Sequence, residues 1–246
     1  MSNPYVLTLH TALGARELTR TLADYAPWSH RIDFDNGVST KDFERRTPFA
    51  ENTLQKIMTA AQRIPFGALA GGRLLDVGCN AGYNAIFAAS EYGLRPVGID
   101  VVPRHVEMAR FLAGIAGVDG TFLLESGETF SRPAAFDVVL HFGTLYHLRN
   151  PLLSLEHAFA NLRAGGYLAL ETQVYEHPAD GNLCYFMHLQ NDDPTNFWAL
   201  SPAVLLRCLE LTGFVDAEVL LRAKPAMLEE HMARLLLVAR KPPAPA

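Results

Sequence analysis

The apolar positions of this chain change period part-way along it. From residue 10 to about 26, "HTALGARELTRTLADYA" places Leu13, Leu18, Leu22 and Tyr25 at helical spacing and ends at Pro27. "PWSHRIDFDNGVSTKDF" follows with a turn signal at Asn36-Gly37 and reads as a loop. Residues 50 to 64 read as a second amphipathic helix, closed by Pro65. From Arg73 short apolar runs take over: "RLLDVG", "RPVGID", "TFLLE", "AFDVVLHFG" and "GYLALET". Helical stretches, "YNAIFAASEYG", "PRHVEMARFLAGIAG" and "LLSLEHAFANLRAGG", separate most of them. Strands alternating with helices predict a mostly parallel sheet covered on both faces, an α/β architecture. Residues 174 to 200 break the rhythm with polar and aromatic residues, as an insertion over the site would. The rhythm resumes with helical "SPAVLLRCLELTGF", then "VDAEVLL" and "ARLLLVAR" predict an antiparallel pair at the sheet edge. The chain thus divides into an N-terminal helical and lid segment (1–70), an α/β domain (71–241) and a tail (242–246).

The first strand-to-helix turn reads Asp76-Val77-Gly78-Cys79-Asn80-Ala81-Gly82-Tyr83. A dinucleotide fingerprint would carry glycine at position 80 and would put a pyrophosphate at the helix start. Asp76 would repel that pyrophosphate and suits a ligand that presents a cation. Gly78 and Gly82 are expected to let the backbone approach the ligand. Asp100 ends the second strand, where its two acceptor oxygens suit the two hydroxyls of a ribose. An ammonium and a sulfonium near one acid, with a ribose at the other, describe S-adenosyl-L-methionine.

"LLDVGCNAGY", "VGID", "FDVVLHFGTLYHL" and "LRAGGYLALET", in that order, resemble the class I S-adenosylmethionine-dependent methyltransferases over nearly all of residues 73 to 240. "GTLYHLRNPLLSLEHAFANLRAGGYLALET", "NFWALSPAVLLRCLELTGFVDA" and "RLLLVARKP" are similar to the branch of tRNA wobble-uridine carboxymethyltransferases and their short relatives. The resemblance implies a Rossmann-like doubly wound sheet of seven strands with the last one reversed. It implies that Asp76, Gly78, Asn80 and Gly82 hold the methionine end of the cofactor, and that Asp100 and Val101 hold the ribose. It also sets Ser126, Gly127 and Glu128 beside the adenine, and His141, Phe142 and Gly143 under the sulfonium. S-adenosyl-L-homocysteine would be the product.

In-line methyl transfer needs positioning, and a base only where the acceptor arrives protonated. His141, Tyr146, His147 and Arg234 are the candidate catalytic groups; for His141 a packing role is an equal expectation. Arg234 falls where the related branch pairs a carboxylate on a modified cofactor, and its planar fork would equally grip a carboxylate on a small substrate. That branch also carries a lysine soon after an N-terminal tryptophan, whereas Trp28 is followed by Ser29, His30 and Arg31. Unmodified S-adenosylmethionine is therefore the expectation over its carboxylated form, with Arg31 the only stand-in. Tyr185, Asn196 and Trp198 of the insertion, with Arg31, Tyr146 and Arg234, are candidate acceptor contacts. His177, His188, Asp192 and Asp193 match no regular metal spacing, so no metal is expected. His10, His105, His157 and His231 read as surface or packing residues.

The chain has 246 residues, 21 basic and 26 acidic, with a net charge of −5 and no basic run. That favours a small-molecule acceptor over tRNA, although folding could still gather Arg16, Arg20, Arg45 and Arg46. Three separated cysteines suggest neither a disulfide framework nor a metal site. No apolar run approaches a membrane span, and the N-terminus does not read as a signal peptide, so a cytoplasmic enzyme is expected, its association as a homodimer left open.

Overall fold

In the computed structural model, which describes residues 4–43, 54–178, 181–187, 193–224 and 230–245, the N-terminal segment is not purely helical. Strands β1 (Leu7–Leu9) and β2 (Ile32–Phe34) pair in parallel around α1 (Ala15–Asp24), and α2 (Gln55–Ala60) follows. The expected loop after Pro27 thus contains a strand, because Ile32 and Phe34 alternate inward and bury fully or nearly so. Trp28 is fully buried, its indole N–H donating to the Leu22 carbonyl at 2.9 Å.

The domain proper runs β3 (Arg73–Val77), α3 (Tyr83–Tyr92), β4 (Arg95–Asp100), α4 (Pro103–Ala116), β5 (Thr121–Leu124), β6 (Phe136–Phe142), α5 (Pro151–Asn161) and β7 (Leu162–Tyr175). It continues with β8 (Cys184–Phe186), β9 (Trp198–Leu200), α6 (Pro202–Thr212), β10 (Val215–Ala223) and β11 (Met232–Arg240). Proline opens α4, α5 and α6, where its fixed φ suits a helix and its missing N–H costs nothing.

The main sheet has the order β10-β11-β7-β6-β3-β4-β5. β11 runs antiparallel to both neighbours, and the remaining pairings along this path are parallel. This is the expected Rossmann-like sheet with its last strand reversed, and β11 lies inside the edge because β10 takes the outer place. β7 is longer than the apolar run "GYLALET" and continues to Tyr175, where Val174 pairs with Leu200 of β9. The insertion therefore extends the sheet: β8 and β9 form an antiparallel pair attached to β7.

Side chains alternate between two cores. Val138, Leu140, Ala169, Leu236 and Val238 face α2, α3, α4 and the N-terminal segment, which share one core. Val139, Leu168, Leu170, Leu235 and Leu237 face α5 and α6. The described residues of the N-terminal segment thus share the core on one face of the sheet.

Candidate active site

The carboxyl ends of β3, β4, β6 and β7 meet where the strand order reverses between β3 and β6, the place where open α/β sheets bind ligands. Asp76 lies there, 2% exposed, and accepts a hydrogen bond from the Ala85 N–H. Its Oδ2 is buried with no hydrogen-bond partner among the described residues. Burial and the charge of Asp100 push its pKa up to about 7. Asp100 is held the other way. Its Oδ2 accepts from Asn80 N–H at 2.9 Å, and its Oδ1 accepts from Val102 N–H at 2.9 Å and lies 3.1 Å from His105 Nδ1. Burial works against its ionisation, but His105 and these backbone donors leave its pKa below the ordinary value.

The two-acceptor reading of Asp100 therefore needs correction, since both oxygens already serve the protein. Each oxygen has two lone pairs, and Oδ2 has one left for a hydroxyl. His105, which reads from the sequence as a surface or packing residue, sits on this carboxylate; only its position two residues into α4 could have signalled that. The glycines also have a second reason to be glycine. At φ +70, a Cβ on Gly78 would land inside the Thr144 side chain, and at φ +75 one on Gly82 would come 2.9 Å from Phe122. Both serve close packing of the turn against β5 and β6. Asn80 takes φ +49 and folds its Oδ1 onto Ala81 N–H at 2.7 Å, which an asparagine tolerates and most side chains do not.

The second cluster is centred on Glu171 of β7, 3% exposed. Lys56 Nζ lies 2.8 Å from its Oε2, and Arg234 of β11 grips both oxygens, with Nη2 at 2.8 Å from Oε2 and Nε on Oε1. Burial alone would raise the Glu171 pKa, but the two cations bring it down to about 2. Arg234 Nη1 also donates to Tyr146 Oη at 3.1 Å, with the guanidinium 5.1 Å over the ring. A Cβ on Gly143 would meet Arg234 Nη2 at 3.5 Å, Lys56 Nζ at 3.6 Å and Tyr146 Oη at 3.7 Å, so these polar groups converge on one backbone point. The sequence missed Lys56 and Glu171. Lys56 is brought to this place by α2, and Glu171 was hidden inside an apolar strand.

The candidate residues then separate. His141 is fully buried on the α5 face, Nε2 at 3.0 Å from Ser154 Oγ, and burial pulls its pKa down to about 4. It is a neutral imidazole inside the core, on the face opposite Glu171 and Arg234. Phe142 is 7% exposed. Glu128 Oε1 accepts from Asn150 N–H at 2.6 Å, and Ser126 Oγ accepts from Glu128 N–H at 3.1 Å, so the 126–128 loop is tied to the start of α5. Val101 at 62% and Leu124 at 54% exposed leave apolar surface at the ends of β4 and β5. Arg31 grips Asp33 through both nitrogens at 3.0 and 2.8 Å and is held in the N-terminal segment. His30 beside it stacks 4.0 Å from Tyr83, covering the turn.

The insertion packs on Tyr146: Tyr185, Met187 and Ala199 share a small core with it, and Phe197 N–H donates to the Tyr146 carbonyl at 2.9 Å. Asn196 is buried. Trp198 lies on the other face of the β8–β9 pair, stacked edge-on with Phe186 and bonded to the Arg149 carbonyl, so it does not face Tyr146. His188, Asp192, Arg45 and Arg46 lie outside the described residues. Among the described residues there is no group of three histidine, cysteine, aspartate or glutamate side chains that could hold a metal, and no helix long and apolar enough to cross a membrane.

Residues 45–219 match the family model of the methyltransferase domain. The chain belongs to the class I S-adenosylmethionine-dependent methyltransferases. This methyltransferase is 36% identical to a tRNA U34 carboxymethyltransferase of Marinobacter nauticus over 157 residues, 61% of this chain and 46% of that protein. With the enzyme of the same name from Shewanella piezotolerans it shares 34% over 207 residues, 82% of this chain and 59% of that protein. The methyltransferase thus spans about half the length of the curated relatives it matches. The N-terminal domain of EvdMO1, solved with SAH and D-fucose, superposes with a TM-score of 0.72 at 22% identity, covering 93% of this chain and 97% of that one. A Haemonchus contortus phosphoethanolamine N-methyltransferase 2, solved with S-adenosyl-L-methionine, gives 0.64 at 17%, over 79% and 55%. At these identities the last two speak for the shared fold.

Proposed function

We propose that the protein transfers a methyl group from S-adenosyl-L-methionine to a small-molecule acceptor held between the Tyr146–Arg234 end of the cleft and the insertion. The cofactor fits the residues present: the partnerless Oδ2 of Asp76 is what a buried α-ammonium would satisfy, and a cation there would offset the repulsion from Asp100. Asp100 would hold a ribose hydroxyl through its remaining lone pair, with Val101, Leu124 and the 126–128 loop flanking the adenine. S-adenosylmethionine supplies an electrophilic methyl group on a sulfonium. The chain's own part is to fix the two reactants in line and to keep water out, for which the insertion over Tyr146 and the N-terminal segment over Tyr83 are placed.

The observation that carries the small-molecule reading is the pairing of six of the described cations within the chain. Arg31, Arg63, Arg163, Arg207, Arg222 and Lys224 each lie within ion-pair distance of an acid of the same chain. Arg16 and Arg20 flank Glu17 in a hollow at the start of α1. A tRNA-binding face needs cations available to phosphates. A second reading, a wobble-uridine (carboxy)methyltransferase, has support from the names of the relatives. It is also favoured by Lys56 and Arg234 converging near Gly143, where one positive charge remains after Glu171 balances the other. Incubating the protein with S-adenosylmethionine labelled in its methyl group, against the small-molecule and tRNA fractions of a cell extract, tests the choice. Label is expected in the small-molecule fraction; label confined to tRNA would overturn it.

A further inference from the structure

His147 is bonded at one nitrogen to a short relay. Its Nδ1 lies 2.9 Å from Thr195 Oγ1 and 3.2 Å from the Thr195 carbonyl oxygen. Thr195 Oγ1 donates to Asp193 Oδ1 at 2.6 Å, and the same carboxylate oxygen accepts from Thr195 N–H at 2.8 Å. A carbonyl oxygen only accepts, and a hydroxyl that has given its hydrogen to a carboxylate can only accept from its next neighbour. Both contacts therefore require the proton on Nδ1. Nε2 is left with its lone pair and has no partner among the described residues. Thr195 and Asp193 come from the insertion and His147 from the turn after β6, so folding the insertion down sets the tautomer. The His147 ring lies 4.2 Å from the Tyr146 ring, whose hydroxyl belongs to the Gly143 cluster.

We infer that His147 Nε2 accepts the proton of a hydroxyl-bearing methyl acceptor, with Thr195 and Asp193 as positioning residues that fix its tautomer. The inference rests on the methyl-transfer reading and narrows its acceptor class. As the O–H bond breaks toward Nε2, the O–CH3 bond forms, the S–CH3 electron pair stays on sulfur as a thioether, and the imidazolium later returns its proton to water. A neutral amine attacks through its own lone pair, and a thiol ionises near neutrality unaided; a hydroxyl is the acceptor that needs a base in the transition state. The charged groups facing the imidazole are Asp193 of the insertion, Arg234 of β11 and Asp100 of β4. Burial outweighs the two acids and holds the imidazole below its ordinary value, in the proton-accepting form at physiological pH.

The test uses the full chain labelled with 15N-histidine, the His147 signals being assigned by their loss in His147→Gln. Nitrogen shifts at pH 7 are expected to show Nδ1 protonated and Nε2 bare. Thr195 is exposed and Asp193 half-buried, so Thr195→Val and Asp193→Asn open no core; both should move the tautomer population toward Nε2–H. Affinity for S-adenosylmethionine should stay within about twofold in both variants, since neither residue is placed on the cofactor. The acid limb of label transfer to the small-molecule fraction should follow the His147 titration seen by NMR and move with it in Asp193→Asn. A proton on Nε2 in the parent, a charged imidazole at pH 7, or a pH–rate profile that ignores the His147 titration would overturn the inference. Failure of the parent to bind S-adenosylmethionine would instead sink the methyl-transfer reading, whatever the tautomer.

Discussion

Asp76 and Glu171 are both carboxylates buried on strands of one sheet, with only β6 between β3 and β7, and they are in opposite electrostatic states. Asp76 has an oxygen without a donor and a second acid nearby, and its pKa rises to about 7. Glu171 is ringed by Arg234 and Lys56, and its pKa falls to about 2 despite equal burial. Burial is common to both, so the neighbours decide. An acid the protein has fully satisfied is scaffold, holding β7, β11 and α2 together. An acid the protein leaves wanting a cation is a ligand site, because the folded chain carries that unfavourable term until something binds.

The contrast breaks first at Glu171. Glu171→Gln strands two cations in a buried setting and should cost about 3–5 kcal/mol of stability, read as a lower denaturant midpoint. A midpoint unchanged from the parent would show that the cluster is not structural. Glu171 in the parent has a folded-state pKa below its unfolded value, so its stabilising contribution is complete above about pH 4.5 and is lost as pH falls toward 2.

At the other acids the effect moves from stability to binding. Asp100→Ala removes acceptors from Asn80 N–H, Val102 N–H and His105, loosening the turn as well as the ribose contact. Calorimetry should show S-adenosylmethionine affinity down by about 100-fold, roughly one charge-assisted hydrogen bond. Equal affinity would remove Asp100 from the site.

Asp76→Asn sharpens the comparison, because it should weaken binding by about tenfold while leaving the protein at pH 8 no less stable than the parent. Its folded-state pKa is raised, so the free protein keeps a proton there below about pH 7 and a cationic ligand must expel it. Affinity of the parent should accordingly fall by up to about tenfold per pH unit below 7 and level off above it. The variant should flatten that slope; a slope that survives belongs to another group.

The smallest change is Tyr146→Phe, which deletes the hydroxyl that takes a hydrogen bond from Arg234. About 1 kcal/mol is at stake. Turnover should drop severalfold with cofactor affinity nearly unchanged, and parallel losses in both would place Tyr146 on the cofactor rather than at the transferred group.

Much of the fold was legible because strand and helix periods are local properties. Arg73 to Tyr92 reads as strand, turn and helix from its own residues, and so do the runs around Asp100 and His141. Asp76 stood out for a local reason too, an acid where a phosphate loop would have none. Other features were not legible, each for a contact far along the chain. The stretch after Pro27 hides a strand because β2 is three residues long and exists through its pairing with β1. Trp198 and Tyr185 are both aromatics of one insertion, yet the β8–β9 register turns them to opposite faces. Lys56 and Thr195 carry no sequence signal and His105 only its place near the start of α4, since their partners are remote or on another element.

The sequence by itself determined the alternation of strands and helices from Arg73 onward outside the insertion, the character of the first turn and the reversed strand near the end, since apolar periodicity and turn chemistry act over a few residues. Only the tertiary structure decided which acid is satisfied and which is left unpartnered, that His141 is buried in the core, and that His147 is tied to Thr195. Those outcomes depend on charges and donors brought together from segments as far apart as Lys56, Glu171 and Arg234. Electrostatic interaction depends on separation in space and on burial, and neither quantity is written along the chain.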